Sequence, residues 1–334
     1  MMRRPLRAGV IGVGTFGSLH ARVYAELEST ELVAVADIQA EKAQHFISEY
    51  GVKGYTDYDE LLEKEDLDIV SVCTSDELHL EPVLAAASAG KHILVEKPLA
   101  MNVEDCDSMI QAVESAGVKF MVGQILRFDP RYYAARQAIV EGQIGQPVHL
   151  YARRNNLLRS AFRLGEHTSV LFFLGVHDID FMNWCMGSKV ERVYGESVSR
   201  VFRDKEIADS YLALIKYQDG TVASLEVSWI LPRSFSKRLD AMFEAAGTEG
   251  TIFVDGSGQA VEVYRAEDSE CPDVMYAPRL YGRYTGILRD EIMHFVECVQ
   301  KDKVPAATGY DGKAAVEVVC AIAESVEKQQ PVYL

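Results

Sequence analysis

An α/β protein of two domains is what this sequence predicts, the first a doubly wound parallel sheet and the second built on a mostly antiparallel sheet. Three observations carry that expectation. Across residues 6–124, continuous apolar runs alternate with amphipathic segments, the pattern of strands buried on both faces beneath helices. A glycine-rich turn, Gly12-x-Gly14-x-x-Gly17, directly follows the first run. Beyond "RFDPRY" the runs alternate apolar with polar positions and are separated by turns such as "QDG" and "DGSG", as in antiparallel strands. The expected domains are residues 1–124, a dinucleotide-binding domain, and 125–334, a substrate domain.

Taken in order, "LRAGVI", "ELVAVAD", "LDIVSVCT", "KHILVEKP" and "KFMVGQ" read as strands. Between them "GTFGSLHARVYAEL", "AEKAQHFISEY", "ELHLEPVLAAASAG" and "VEDCDSMIQAVESAG" read as helices, two of them closed by Gly90 and Gly117, residues suited to a left-handed C-terminal cap. The second half opens with a helix at about 130–141 and continues through strands such as "VHLYAR", "YLALIKY", "TVASLEVSW" and "TIFVD". It ends in two helical patterns, "DEIMHFVECVQ" and "DGKAAVEVVCAIAESVEK", expected to pack back toward the first domain.

Bulk properties exclude several function classes. The formal charge is −16, from 50 acidic and 34 basic residues, which disfavours nucleic acid and anionic membrane surfaces as partners. Six cysteines form no C-x-x-C pair and read as reduced thiols of a cytoplasmic protein. The eight histidines are scattered, so no metal site is expected. The start, "MMRRPLRAGVIGVG", runs from its short apolar stretch straight into glycines, unlike a secretory leader, and no apolar run is long enough to span a bilayer.

The glycine turn carries the first chemistry. Gly12 permits a tight turn, Gly14 a close backbone approach to a pyrophosphate, and Gly17 close packing of helix on strand. The pyrophosphate then sits at a helix N-terminus, where backbone N–H groups and the positive dipole end converge. Asp37 ends the second strand, 20 residues after Gly17, placed to accept hydrogen bonds from an adenosine ribose and to repel a 2′-phosphate. No arginine follows it, since Ile38, Gln39 and Ala40 come next. NAD is therefore expected over NADP, with Thr15, Phe16 and Ile38 as further candidate contacts. A glycine turn beside a solvated aspartate is the alternative.

Ligands of open α/β sheets bind at the carboxyl ends of strands, and three such ends are polar here. "VCTSDELH" offers Thr74, Ser75 and His79; "LVEKP" offers Glu96 and Lys97; "VGQILRFDP" offers Arg127. Lys97 precedes Pro98, which forces extended geometry and permits a cis bond. A lysine so held can exchange a proton with a substrate hydroxyl, or it can pair structurally with Glu96. His79 either lines the cofactor loop or packs its own helix. Arg127 either clamps cofactor or substrate, or ties the domain junction.

The run "SVLFFLGVHDIDFMNW", residues 169–184, reads as one helix. At 3.6 residues per turn, Val170, Phe173, Leu174, His177, Phe181 and Trp184 share a face expected to be buried. Asp180 falls on its edge and Asp178 to the side. On the residues alone, a satisfied core histidine is the commoner reading of His177. Before it, "YARRNNLLRSAFRLGEH" clusters Arg153, Arg154, Arg159 and Arg163, suited to a carboxylate or phosphate or to a solvated loop. Arg153, Arg163, Asp180 and Tyr281 are the candidate substrate contacts. Trp229, Tyr281 and Tyr284 can stack on a sugar or fill the core.

The glycine loop, Asp37, "TSDELH", "EKP", "RFDP", "GVHDID" and the closing "GYDGKAAVEVVCAIAES" occur in an order that resembles the glucose–fructose oxidoreductase/inositol dehydrogenase (Gfo/Idh/MocA) family. The resemblance implies a Rossmann domain followed by an α/β domain whose open sheet makes dimer or tetramer contacts. It implies NAD(P)-dependent oxidation of a hydroxyl on a sugar, sugar acid, polyol or cyclitol, with Lys97 and His177 as catalytic residues. Two positions depart from the family pattern: Phe173 stands where an aspartate often precedes the histidine, and Leu126 where an asparagine often precedes the arginine. Two alternatives stay open: an enzyme that retains NAD through each cycle of glycoside cleavage or elimination, and a noncatalytic dinucleotide or sugar sensor.

Overall fold

The computed structural model describes residues 4–165, 167–205, 207–237, 239–267 and 269–334, with Arg163 described by its backbone alone. The chain forms two compact units, Met1–Ile125 with Met275–Lys313, and Leu126–Val274 with Ala314–Leu334.

In the first unit, strands and helices alternate: β1 (Leu6–Ile11), α1 (Thr15–Glu26), β2 (Thr30–Ala36), α2 (Ala40–Tyr50), β3 (Lys53–Tyr55), α3 (Tyr58–Lys64), β4 (Ile69–Val72), α4 (Leu80–Ser88), β5 (His92–Glu96), α5 (Val103–Ala116) and β6 (Phe120–Gly123). All six strands are parallel, in the order β3-β2-β1-β4-β5-β6. The apolar runs are buried throughout β4 and β6, as a sheet covered on both faces requires. Gly90 and Gly117 take φ of +69° and +66° beyond α4 and α5, so the helix ends expected from glycine are found. Strand order reverses between β1 and β4, and the carboxyl ends there form the switch point at which such sheets take ligands.

The second unit contains α6 (Pro130–Val140), β7 (Pro147–Leu157), α7 (Leu158–Leu164), α8 (Val176–Met186), β8 (Val190–Val198), β9 (Ser210–Tyr217), β10 (Val222–Leu231), β11 (Leu239–Gly247) and β12 (Thr251–Asp255). Its sheet runs β12-β11-β7-β10-β9-β8, with Val332–Tyr333 added beside β8. Only β7 and β10 pair in parallel, so the sheet is mixed and mostly antiparallel. One face is apolar and packed: Leu150, Ala152, Ile215, Leu225, Val227 and Phe243 join Leu174, Ile179 and Phe181 in the core. The other face exposes Leu212, Leu214 and Phe253.

Two helices follow: α9 (Ile287–Lys301), which lies against α1 within the first unit, and α10 (Gly309–Lys328). No described helix is long and apolar enough to cross a membrane.

One expected element is corrected. The run 169–184 is not a single 3.6-residue helix; Leu171–Gly175 is π-helical and α8 begins at Val176. The wider turn breaks the register. A Cβ on Gly175 would stand 3.1 Å from Leu171 Cδ1, so the tight packing inside the π-helical turn favours glycine there. His177, Phe173 and Trp184 are accordingly only half-buried, whereas Asp178 and Asp180 are each 1% exposed. The buried stripe expected around His177 is thus turned toward the aspartates, and non-local cation partners make that arrangement possible.

Candidate active site

At the first turn the glycines do what their positions demand. Gly12 has φ +83°, and a Cβ on it would lie 2.8 Å from the Cys73 carbonyl. A Cβ on Gly17 would stand 1.8 Å from the Gly12 oxygen, so helix and strand can meet here only at glycine. Gly14 has no atom within 4 Å of its Cβ position, leaving the approach open. It is the N-cap of α1 with no side-chain cap, a helix start suited to an anion. Asp37 Oδ2 accepts from Val13 N–H at 3.0 Å and Oδ1 from Gln39 N–H at 3.0 Å. The Lys42 ammonium lies 3.7 Å from Oδ2. Thr15, Phe16 and Ile38 are exposed around this turn, Phe16 edge-on to Tyr276. The open Gly14 face beside an oriented carboxylate fits the phosphates and adenosine ribose of a dinucleotide.

Removing the carboxylate tests that fit. Asp37→Ala is expected to weaken NAD binding by about 10–150-fold, the value of hydrogen bonds to a charged group. Binding of NADP should change less, with Lys42 left beside the vacated position. Titrating NADH and NADPH fluorescence checks both, and an unchanged NAD affinity would remove Asp37 from the cofactor site.

The next strand ends are tied together. Thr74 Oγ1 donates to the Leu78 carbonyl at 2.9 Å, and Ser75 precedes the turn Asp76–Leu78. His79 is 1% exposed; its Nδ1 lies 2.8 Å from the Pro98 oxygen and its Nε2 3.3 Å from the Thr74 oxygen. The imidazole thus links the loop after β4 to the turn after β5. In that turn the Lys97–Pro98 bond is cis. Lys97 is 6% exposed, and its backbone N–H donates to Glu96 Oε2 at 3.2 Å. Burial alone would raise the Glu96 carboxyl. The hydrogen bond from His20 and the positive charge of Lys97 outweigh it and hold the group below the usual carboxylate range.

In the second unit, two buried ion pairs hold the aspartates one and three residues after His177. Arg154 of β7 grips Asp178 through Nε at 2.7 Å and Nη2 at 2.9 Å, and Nη2 also donates to the Tyr132 hydroxyl at 3.2 Å. Arg127 grips Asp180 through Nε at 2.9 Å and Nη2 at 2.6 Å, with its guanidinium over the Trp184 ring. The two aspartates that follow the histidine are therefore anchored by bidentate, charge-assisted bonds, which fix the first turn of α8. Arg127 and Asp180, expected to touch ligand, are engaged with each other.

The arginine run is divided by strand alternation. Arg154 enters the packed face, while Arg153 points to the opposite face and donates to Asp240 at 3.1 Å. Arg159 is exposed, and the Arg163 side chain lies outside the described residues. Tyr281 sits at the tip of a short hairpin with φ +51°, fully exposed. Trp229 is buried and donates to the Ala208 oxygen at 2.9 Å; Tyr284 is buried as well. Both take the core role.

Comparison with known proteins now decides the family. Residues 6–124 match the Gfo/Idh/MocA model described as "Oxidoreductase family, NAD-binding Rossmann fold", and residues 136–334 match the family's "C-terminal alpha/beta domain". The chain belongs to the Gfo/Idh/MocA oxidoreductase family. Relatives include the myo-inositol 2-dehydrogenase of Thermotoga maritima, 29% identical with 98% of each chain covered. The NAD(+)-linked scyllo-inositol 2-dehydrogenase of Bacillus subtilis is also 29% identical, over 100% of this chain and 97% of its own. Among solved structures, a probable dehydrogenase from Thermotoga maritima superposes with a TM-score of 0.83 at 27% identity, covering 98% of each chain.

Several polar residues of this Gfo/Idh/MocA protein escaped sequence reasoning. His20, Tyr24 and Ser71 are fully buried around Glu96, and only a histidine on the apolar face of α1 hinted at them. Glu291 of α9 is also fully buried, with no hydrogen-bond partner for either oxygen among the described residues. Burial and the charge of Glu96 push its carboxyl well above the usual range. The folded state therefore binds a proton that the unfolded chain releases near pH 4–5. Its contribution to stability falls as pH rises above that value, by up to about 1.4 kcal/mol per unit. Glu291→Met is expected to raise Tm at pH 8, with the gain shrinking toward pH 5; a gain independent of pH in thermal melts would contradict this.

Proposed function

We propose that this protein is an NAD-dependent dehydrogenase that oxidises a ring hydroxyl of a cyclitol, with inositols the first substrates to test. The observation that carries the reading is Lys97, a cationic side chain 6% exposed at the carboxyl end of β5 in the dinucleotide-binding unit. Full-length similarity to two inositol 2-dehydrogenases supports the substrate class. Gly12, Gly14, Thr15, Phe16, Gly17, Asp37 and Ile38 would hold the dinucleotide, with Thr74, Ser75, His79 and Glu96 shaping the adjoining loops. Bound NAD supplies the hydride acceptor. With its own proton first released to solvent, Lys97 takes the hydroxyl proton as the carbinol carbon gives up its hydride, and His177 orients the oxygen or relays the proton. The anchored aspartates hold the imidazole's helix in register.

The exposed Leu212, Leu214, Ile230 and Phe253 on one sheet face support a homodimer or homotetramer formed through that face, in the cytoplasm. The test of function is absorbance of NADH while inositols, sugars and sugar acids are offered with NAD. Turnover on inositols supports the reading. Product without NADH would favour the NAD-retaining enzyme, and saturable NAD binding with no turnover would favour the sensor.

A further inference from the structure

Behind Lys97 lies a closed chain of buried hydrogen bonds. Tyr24 hydroxyl and Ser71 Oγ are 2.8 Å apart, Ser71 Oγ and His20 Nδ1 3.1 Å, and His20 Nε2 and Glu96 Oε1 3.1 Å. Tyr24, Ser71 and His20 are all 0% exposed, so each proton must be placed on a partner within the chain. A carboxylate can only accept, which puts a proton on His20 Nε2. If Nδ1 carried one as well, Ser71 would accept it, and of the Ser71 and Tyr24 hydroxyls only one could donate to the other, leaving one buried O–H without an acceptor in the chain. With Nδ1 bare, Tyr24 donates to Ser71, Ser71 to Nδ1 and Nε2 to Glu96, and every donor is used. Space for the carboxylate comes from Gly123 of β6, where a Cβ would stand 3.3 Å from Glu96 Oε2.

We propose that His20 is a positioning residue for the dehydrogenase reaction: held by Ser71 and Tyr24, it fixes the Glu96 carboxylate, which in turn holds the backbone of Lys97. This rests on Lys97 being the proton acceptor. The ionisable groups facing Glu96 are His20 from α1, Cys73 after β4, His79 ahead of α4, Lys97 itself and Glu291 from α9. Without the imidazole bond, burial acts on Glu96 with its largest stabilising contact gone, and the carboxylate is lost at higher pH.

The experiment compares His20→Leu, His20→Gln and Ser71→Ala in the full chain with NAD and the alcohol found in the panel. His20→Leu is expected to lower kcat by about 10–100-fold, the usual cost of an outer supporting partner. The acid limb of its pH profile should move up by about one unit or more, while NAD affinity holds. His20→Gln, whose amide nitrogen reaches the Nε2 position, should recover most of the loss, and Ser71→Ala should shift the limb in the same direction. Wild-type profiles in both His20→Leu and Ser71→Ala would overturn the proposal. A second readout needs no substrate and no variant: 15N NMR of labelled His20 should show Nε2 protonated and Nδ1 bare between about pH 7 and 9, and a proton on Nδ1 would overturn the assignment. Absence of wild-type turnover would count against the dehydrogenase reading, and the NMR result would still decide the hydrogen-bond chain.

Discussion

Lys97→Met is expected to lower kcat by about 10²–10⁴-fold, the range that positioned acid–base groups contribute, while leaving NAD affinity within a few-fold of the wild type. The separation follows from where the groups stand. Dinucleotide binding is assigned to the glycine turn and to Asp37, whose carboxylate is oriented by Val13 and Gln39 rather than by Lys97. Methionine preserves the length and apolar stem of the lysine in a position only 6% exposed, so packing is kept and the proton acceptor is removed. Glu96 keeps its bond from His20 and its bond to the residue 97 backbone. Steady-state kinetics beside a fluorescence titration of NADH makes the comparison. Turnover within tenfold of wild type would sink the assignment of the proton to Lys97, and a matching collapse of NAD affinity would make the lysine a cofactor ligand instead.

Asp178→Ala is expected to cost about 3–5 kcal/mol, because it strands a buried guanidinium. For a unit of this size that is roughly 6–20 °C in Tm. Arg154 is 7% exposed at its side chain and Asp178 1%, so water cannot replace the lost partner. Burial by itself would lower the Arg154 pKa; the Asp178 charge, with Tyr132, more than reverses this and keeps the guanidinium charged. The double variant Arg154→Met/Asp178→Leu removes both charges and should regain most of the stability, as apolar replacement of buried pairs commonly does. Calorimetry of the single and double variants decides. A single variant that melts with the wild type would mean that the pair contributes nothing, and a double variant no better than the single would point to packing rather than charge. Kinetics on the double variant would then show how far the register of His177 depends on the anchor.

Much of the first unit was legible because its signals are local. Gly12 and Gly17 are dictated by a positive φ and by a Cβ that has no room, and both constraints act within one strand–turn–helix. Asp37 is placed by the length of α1 and β2. The cis bond ahead of Pro98 was permitted by the dipeptide itself. The second unit was less legible. A helical wheel drawn through residues 169–184 put His177 on the buried stripe because a 3.6-residue period was carried through a segment that is π-helical. Asp178 was placed to the side of the helix and Asp180 among the candidate substrate contacts because nothing nearby in the chain neutralises them. Their partners, Arg154 and Arg127, lie 24 and 53 residues away.

The sequence by itself determined the doubly wound sheet, the glycine turn between β1 and α1, the acidic residue at the end of β2, and a mostly antiparallel second sheet. Each follows from periodicity or backbone sterics, which act over a few residues. Only the tertiary structure decided which polar side chains are available for chemistry and which are bound to one another. It engaged Arg127 with Asp180, turned Arg153 away from Arg154, and closed Tyr24, Ser71, His20 and Glu96 into one chain. The physical reason is that a buried polar group is stable only with its partner. In these cases the partner comes from another element of the fold, where no local pattern can announce it.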